Sequence, residues 1–393
     1  MPVPRKVTIA ERRARLARRH RLAAGAAASD PVAVTDSVLA LHATDPATVY
    51  LSVAARIDRP DHRALERAQY ETGELVRLLA MRRTMFVVTA ATAPIVQVAA
   101  SDAIAEQLRR RYGQLIEQAG IAGDGAGWLD RACDAAVESL RRLGEATGAE
   151  LGRATPVLQT KIRLAEGKAY ASDNNVTGWV TNLVAAQGRV VRGRPLGTWV
   201  GNQYRWRVAD PAPAPASPAD RAQARVALVD LWLRAFGPAT VGDVRWWTGW
   251  TLGETRAAIA ALETVEVDMD GVPGIVLASD VEPVKSPGTW VSLLPALDPT
   301  PMGWKERDWY IGGHAPALFD LTGNIGPTVW VDGRVVGGWA QRRDGRVVYR
   351  LLEDVGSSVE KEIARVAGRM EEVIGELRIT PRFRVPLERE LVS

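Results

Sequence analysis

Along the first ninety residues the apolar positions recur with helical and then with strand spacing. Ile9, Leu16 and Ala23 form a narrow apolar stripe, and Thr8 followed by Glu11 reads as a capping box, so a helix is predicted to about Ala24. A second helix is predicted over roughly 36–43 from Val34, Val38 and Leu41, stopped by Pro46, because the residue ahead of a proline is pushed out of the α region. A third runs from Asp61 to about Tyr70, and LVRLLAMRRTMFVV (75–88) reads as two strands with a basic turn. Three helices and a hairpin are the order of a winged helix. Residues 91–146 read as wholly helical, with Ile95, Val98, Leu108, Ile116, Leu129, Val137 and Leu140 as core.

The same order returns twice. Residues 151–158 and 174–186 supply two helices of a second unit, and GRVVRGRPLGTWVGNQYRWRV (188–208) its hairpin. PAPAPASPAD (211–220) is a polyproline-like spacer. Beyond it, helices are predicted over 221–236, 240–247 and 252–262, the last two capped by Thr240 with Asp243 and by Thr251 with Glu254. Strands 265–269 and 272–278 are joined by Asp270-Gly271, a strong hairpin signal. Among the tryptophans of this stretch, Trp246, Trp247 and Trp250 read as core packing in preference to a stacking platform. From Trp290 the pattern turns to short strands with turns at Asp332-Gly333 and Asp344-Gly345, then a helix over 358–376 and a strand-like piece over 378–385.

The fold class expected is therefore α+β: tandem winged-helix (helix-turn-helix) units followed by a small β-rich domain. The divisions are 1–90, a helical connector 91–146, 147–210, the linker 211–220, 221–287 and 288–393.

Composition narrows the function classes. The chain has 393 residues, 47% hydrophobic and 24% charged, as globular material of about two to four domains should. One cysteine, Cys133, excludes a disulfide framework and a cysteine-built zinc site, and four scattered histidines lack ligand spacing, so no metal and no cofactor is expected. There is no signal peptide and no run long enough to span a membrane, and a soluble cytoplasmic, nucleoid-associated protein is expected. Without a coiled coil, a monomer is expected.

The net charge of +4 is modest, but arginines cluster. The first helix carries Arg12, Arg15 and Arg19, and further cations include Arg82 and Arg83, Arg192 and Arg194, Arg307 and Arg334. Together they are the candidate phosphate footprint for double-stranded DNA, damaged DNA in particular. P-loop, GxGxxG, GxSxG and HExxH motifs are missing. The chemistry concentrates in LALHATDPATVYLSVAAR (39–56), where His42, Thr44 and Asp45 form a polar knot. A simpler role for Asp45 is to cap the segment beginning at Ala47.

These segments, with MRRTMFVV, GRVVRG, FGPATVGDVRWWTG, LLPALDPTPMGWKERDWY and TVWVDGRVVGGW, resemble the bacterial winged-helix DNA-binding-domain family that includes the AlkZ and YcaQ DNA glycosylases. The resemblance runs from about residue 10 to 385. It implies three winged helices and a β domain in a C shape around DNA, with excision of N7-alkylated and crosslinked purines. It also implies catalytic roles for His42, Thr44 and Asp45, and a hairpin that probes the duplex, either 193–201 or Asp332-Gly333. Where the characterised glycosylases carry glutamine, an apolar residue and glutamine, this chain has His42, Ala43 and Thr44, and Phe86 replaces a common histidine. The alternative expectation is a non-catalytic winged-helix protein, a regulator or lesion binder.

Overall fold

A computed structural model describes residues 4–164, 172–201, 203–209 and 216–393. Part of the proline-rich spacer, 211–215, lies outside them. The chain folds as two units: Met1–Leu75 with Phe86–Ala90 and Val226–Ser393, and Val76–Met85 with Ala91–Arg225.

In the first unit, strand β1 (Arg5–Lys6) leads into helix α1 (Ile9–Arg19), which Thr8 caps by accepting from Glu11 N. The capping box is not closed: the Glu11 carboxylate is taken by Arg5 (2.8 Å) and Arg15 (3.0 Å). The helix ends before Ala24 because Arg21 turns left-handed (φ 59°) and the Leu22 and Ala23 amides fold back to Ala17 O. Helix α2 is Pro31–Ser37, earlier than expected, since Asp30 caps it and Pro31 starts it.

The largest departure from the sequence pattern is at the knot. Leu41–His42 form a strand, β2, and Pro46 opens a helix, α3 (Pro46–Ala54), instead of closing one. Every residue of α3 is buried, so it carries no amphipathic period for the eye to find. Helix α4 (His62–Tyr70) starts at its Asp61 cap as predicted. Strands β3 (Leu75–Ala80) and β4 (Thr84–Thr89) flank a turn in which Arg82 and Arg83 are left-handed, φ 55° and 59°.

The helices predicted over 221–236, 240–247 and 252–262 are closely matched by Pro218–Phe236, Val241–Thr248 and Leu252–Ala260, with both capping boxes formed. The hairpin after them, Thr264–Asp268 with Pro273–Leu277, turns at Asp270 and Gly271 and gains β1 as a parallel third strand. Four antiparallel strands follow, Val291–Leu294, Thr328–Val331, Arg334–Gln341 and Val347–Leu351, in sequential order, with helix Ser357–Ile374 packed on them. Residues 378–385 are not a strand: Pro381 and Pro386 each remove a donor, and helix Pro386–Val392 ends the chain.

Rings dominate this core. Trp232, Phe236, Trp304, Trp309, Tyr310 and Trp330 meet in succession at centroid distances of 5.5, 5.1, 5.1, 4.7 and 5.4 Å. Trp247 joins them, so this tryptophan is core; Trp246 instead lies under Arg307 at 4.7 Å. Gly303 makes room for Phe236: a Cβ there would stand 2.3 Å from the ring. Gly303→Ala should lower stability by about 1–3 kcal/mol, measured as a lower urea midpoint with an unchanged slope.

The second unit packs helices Asp102–Gln118, Gly125–Leu143 and Thr177–Ala186 around Leu108, Ile116, Leu129, Val137, Leu140 and Leu183. The predicted continuous helix is interrupted at 119–124, where Asp124 caps the next one. The hairpin Val190–Pro195 with Tyr204–Val208 forms as predicted. Cys133 is buried in the core, and burial pushes its thiol up to about 12, which makes it inert.

Candidate functional site

The knot sits where β2 gives way to α3. Leu41 and His42 pair with Val87 and Phe86 of β4, and the His42 ring meets Phe86 edge-on at 5.5 Å with 6% of the residue exposed. Because strand β2 ends at His42 and residues 43–45 form a bend before α3, not a helix end, the angular separation that a helix would impose on His42 and Thr44 is removed. Thr44 is half-buried.

Asp45 caps α3, accepting from Ala47 N at 3.1 Å through Oδ1 and from Arg382 N at 3.2 Å through Oδ2. Burial pushes its carboxyl above the ordinary aspartate range, and these two amides only partly oppose that. Against it lies a cavity of about 20 Å³, lined also by Thr48, Ala296, Trp339 and Gln341, room for a single water.

One turn further along α3, a buried network ties the helix to the β-rich part of the unit. Asp298 accepts from Arg56 Nη1 and Nη2 (2.8 and 2.7 Å), Ser52 Oγ (2.6 Å) and Thr300 N (2.9 Å), and both charged side chains are fully buried. Arg56 Nη2 also donates to Thr300 Oγ1 at 2.8 Å, so the threonine hydroxyl is left to donate to His20 Nδ1 at 2.9 Å. That leaves His20 Nε2–H to donate to Ala235 O at 3.1 Å, the neutral tautomer.

Burial, followed by the nearby Arg56 charge, holds His20 down to about 3. A histidine depressed in this way contributes stability that is complete above its unfolded value near 6.5 and is lost as pH falls toward 3. The His20 ring resonances should accordingly show no titration between about pH 8 and 4 in a two-dimensional NMR series. Sequence inspection missed this network, because Arg56 and Asp298 are 242 positions apart and neither carries a local signal beyond the LDPTP run.

The arginines separate into two sets. In the first unit, Arg15 is 1% exposed and bound to Glu11, Asp280 and the Glu282 carbonyl, and Arg19 pairs with Asp280 and donates to Gly237 O. Arg12 lies 4.1 Å over the Trp309 ring, 8% exposed, and burial lowers its pKa to about 10. The arginine-rich first helix thus turns three of the expected DNA contacts inward.

Arg334 pairs with Glu353 at 3.1 Å. The Asp332-Gly333 turn beside it packs on α1 through Gly333, where a Cβ would meet Arg13 Cβ at 2.5 Å, while Asp332 is exposed and accepts from Trp290 N at 2.8 Å. Arg307 is half-buried on Trp246 and Phe319. In the second unit, Arg83 is exposed and donates to Gln107, Arg82 is half-buried, Arg192 lies 4.0 Å from the Tyr204 ring, and Arg194 is exposed. Among the described residues no group of three or more histidines, cysteines and carboxylates could hold a metal, and no helix is long and apolar enough to cross a membrane.

The family model for AlkZ-like DNA glycosylases matches residues 35–373. The chain belongs to the AlkZ-like DNA glycosylase family. The matched AlkZ-like region contains the His42, Thr44 and Asp45 knot and the Arg56–Asp298 pair, and it leaves α1 with its inward arginines outside. Among solved structures, Streptomyces sahachiroi DNA glycosylase AlkZ shares the fold at 22% identity, with a TM-score of 0.69, over 92% of this chain and 97% of that one. No curated protein sequence matches. At the knot, this AlkZ-like chain places a ring, a hydroxyl and a carboxyl within four consecutive residues.

Proposed function

We propose that the protein is a monofunctional DNA glycosylase that hydrolyses the N-glycosidic bond of N7-alkylated purines in duplex DNA, bulky or crosslinked adducts included. The observation that carries the reading is the gathering of His42, Thr44 and Asp45 at one strand-to-helix junction inside the matched region. An N7-alkylpurine is already cationic, so the C1′–N9 electrons neutralise it as it leaves and no strong acid is needed. Water adds to C1′ and gives a proton to His42, while Thr44 orients the water. The Asp45 carboxylate faces the developing cationic sugar, and its raised pKa marks a site where charge is poorly solvated and acts strongly. Knot residues include no lysine, so no Schiff base and no strand cleavage is expected.

Arg307 and Arg334 in the first unit, and Arg82, Arg83, Arg192 and Arg194 in the second, remain as phosphate contacts. Affinity for a duplex should therefore fall steeply with salt, with a log–log slope set by the phosphates neutralised; a flat dependence would remove the footprint.

The burial of His42 favours a second reading, a protein of the same fold that binds lesions without cleaving them. The two separate on one assay. Duplex DNA carrying N7-methylguanine is incubated with the protein and treated with alkali. Breakage at the lesion supports the glycosylase, and intact strands with retained binding support the lesion binder.

A further inference from the structure

A cavity of about 280 Å³ lies inside the first unit at the opposite end of α3 from the knot, about 12 Å along the helix from Pro46. Part of its lining is apolar: Leu22, Ala54, Ile57, Val366 and Met370. Another part is the edge of the four-stranded sheet, where strand Val291–Leu294 has a neighbouring strand on one side only. Trp290 O accepts from Asp332 N at 3.1 Å, and Val291 stands opposite Val331, so the alternation of an antiparallel ladder turns the Val291 N–H and C=O away from that neighbour. No other hydrogen bond reaches either group among the described residues. An unpaired backbone donor and acceptor therefore border the cavity.

Four arginines line it, against two carboxylates, Asp58 and Glu362. Glu362 is taken by Arg365 (2.6 and 2.8 Å), and the Arg56 charge by Asp298. Arg369 donates to the Ile57 and Asp58 carbonyls at 2.5 Å each, and the exposed, left-handed Arg21 has no ion pair or side-chain hydrogen bond among the described residues. Against the charges of Arg21 and Arg369 stands the Asp58 carboxylate, so one positive charge is in excess. Arg56 adds a donor: four of its five N–H groups go to Ser52 O, Asp298 and Thr300, and the buried Nε–H has no acceptor among the described residues. Surplus positive charge, spare donors and aliphatic side chains together suit a carboxylate on an apolar body, and the open strand edge matches a peptide backbone.

We propose that this cavity captures the C-terminus of a partner polypeptide. The last residues lie along Val291 as an added strand, the terminal carboxylate meets Arg21 and Arg369, and an aliphatic final side chain packs on Leu22, Val366 and Met370. The space is smaller than the roughly 300–1,000 Å³ of sites for drug-sized ligands, so it takes the end of a chain and not a longer stretch. This chain's own end is not the occupant, since it closes helix Pro386–Val392. The proposal stands independently of the glycosylase reading.

The test uses the full chain and dye-labelled pentapeptides ending in valine, leucine, lysine or glutamate, with fluorescence anisotropy as the readout. Those ending in valine or leucine should bind with a dissociation constant on the order of 10–100 μM, and the charged endings about tenfold more weakly. Amidation of the C-terminus should weaken the aliphatic peptides by about tenfold or more. Arg21→Gly suits the left-handed backbone at that position and should weaken binding about tenfold with an unchanged melting temperature. Val366→Trp fills the cavity and should abolish binding. The proposal is overturned if no peptide binds below about 1 mM, if the amidated forms bind equally, or if Arg21→Gly binds like the parent. N-acetylvaline binding as tightly as the peptides also overturns it, because the site would then belong to a small organic acid.

Discussion

His42→Ala is expected to slow base release from an N7-methylguanine duplex by about 10²- to 10⁴-fold, the range for losing a positioned acid or base, with duplex affinity within about threefold. Alkali-cleavage kinetics under single turnover report the first quantity and fluorescence anisotropy the second. The ring also packs on Phe86, so the alanine variant loses contacts as well as a proton acceptor. His42→Gln separates the two losses. Glutamine fills similar space and offers a carbonyl to water, and it is the residue that the resembling glycosylases carry at this place, so it should recover the rate to within about tenfold of the parent. If His42→Gln is as slow as His42→Ala and both melt like the parent, the imidazole is needed for itself. If neither variant slows release, the water is held elsewhere, and Asp45 with its adjoining cavity is the first place to look.

Arg56→Met should destabilise the first unit by about 3–5 kcal/mol, since it leaves the Asp298 carboxylate buried and unpaired. That is a large share of the roughly 5–15 kcal/mol that holds a typical protein folded, so the variant should melt far lower or fail to accumulate. Asp298→Asn should do nearly as much, because the Arg56 charge would remain inside with only neutral acceptors, Ser52 O, Thr300 Oγ1 and the new amide oxygen. The double variant Arg56→Met with Asp298→Leu removes both charges and should regain a good part of the loss; a double variant no better than the singles would mean that Ser52 and Thr300 depend on the ions for their own bonding.

The pH dependence has a definite sign. Burial alone would raise the Asp298 carboxyl, but the Arg56 charge and the hydrogen bonds from Arg56, Ser52 and Thr300 outweigh it and hold the group below its ordinary value. Its contribution is therefore complete above the unfolded value near 3.9 and is lost as pH falls through the lower folded one. The loss from His20 comes first on acidification, from near 6.5 down to about 3. Denaturant midpoints measured from pH 7 to 3 should thus decline early because of the histidine, with the ion pair failing last.

Several elements of this protein were written locally and could be found without a structure. Thr240 with Asp243 and Thr251 with Glu254 close capping boxes within four residues, and Asp270-Gly271 turns a hairpin within two. In these cases the donor, the acceptor and the backbone conformation belong to one short segment, and nothing distant is needed to satisfy them. The resemblance in motif order was legible for the same reason, since it needs only spacing.

Burial and pairing were decided by the tertiary fold. Eight basic residues in the first twenty-one look like a phosphate surface, yet Arg15 and Arg19 are turned to Asp280 and Arg12 to Trp309, each more than two hundred positions away. Pro46 ends a helix or begins one according to which side the chain is extended, and only the pairing of His42 with Phe86 settles that it begins α3. The knot was visible as three residues in the sequence; that it lies at a strand end, beside a water-sized cavity and above a buried ion pair, follows from segments that meet only when the chain folds. A sequence states which groups a residue can satisfy, whereas the solvent it loses and the partner it gains depend on what packs against it.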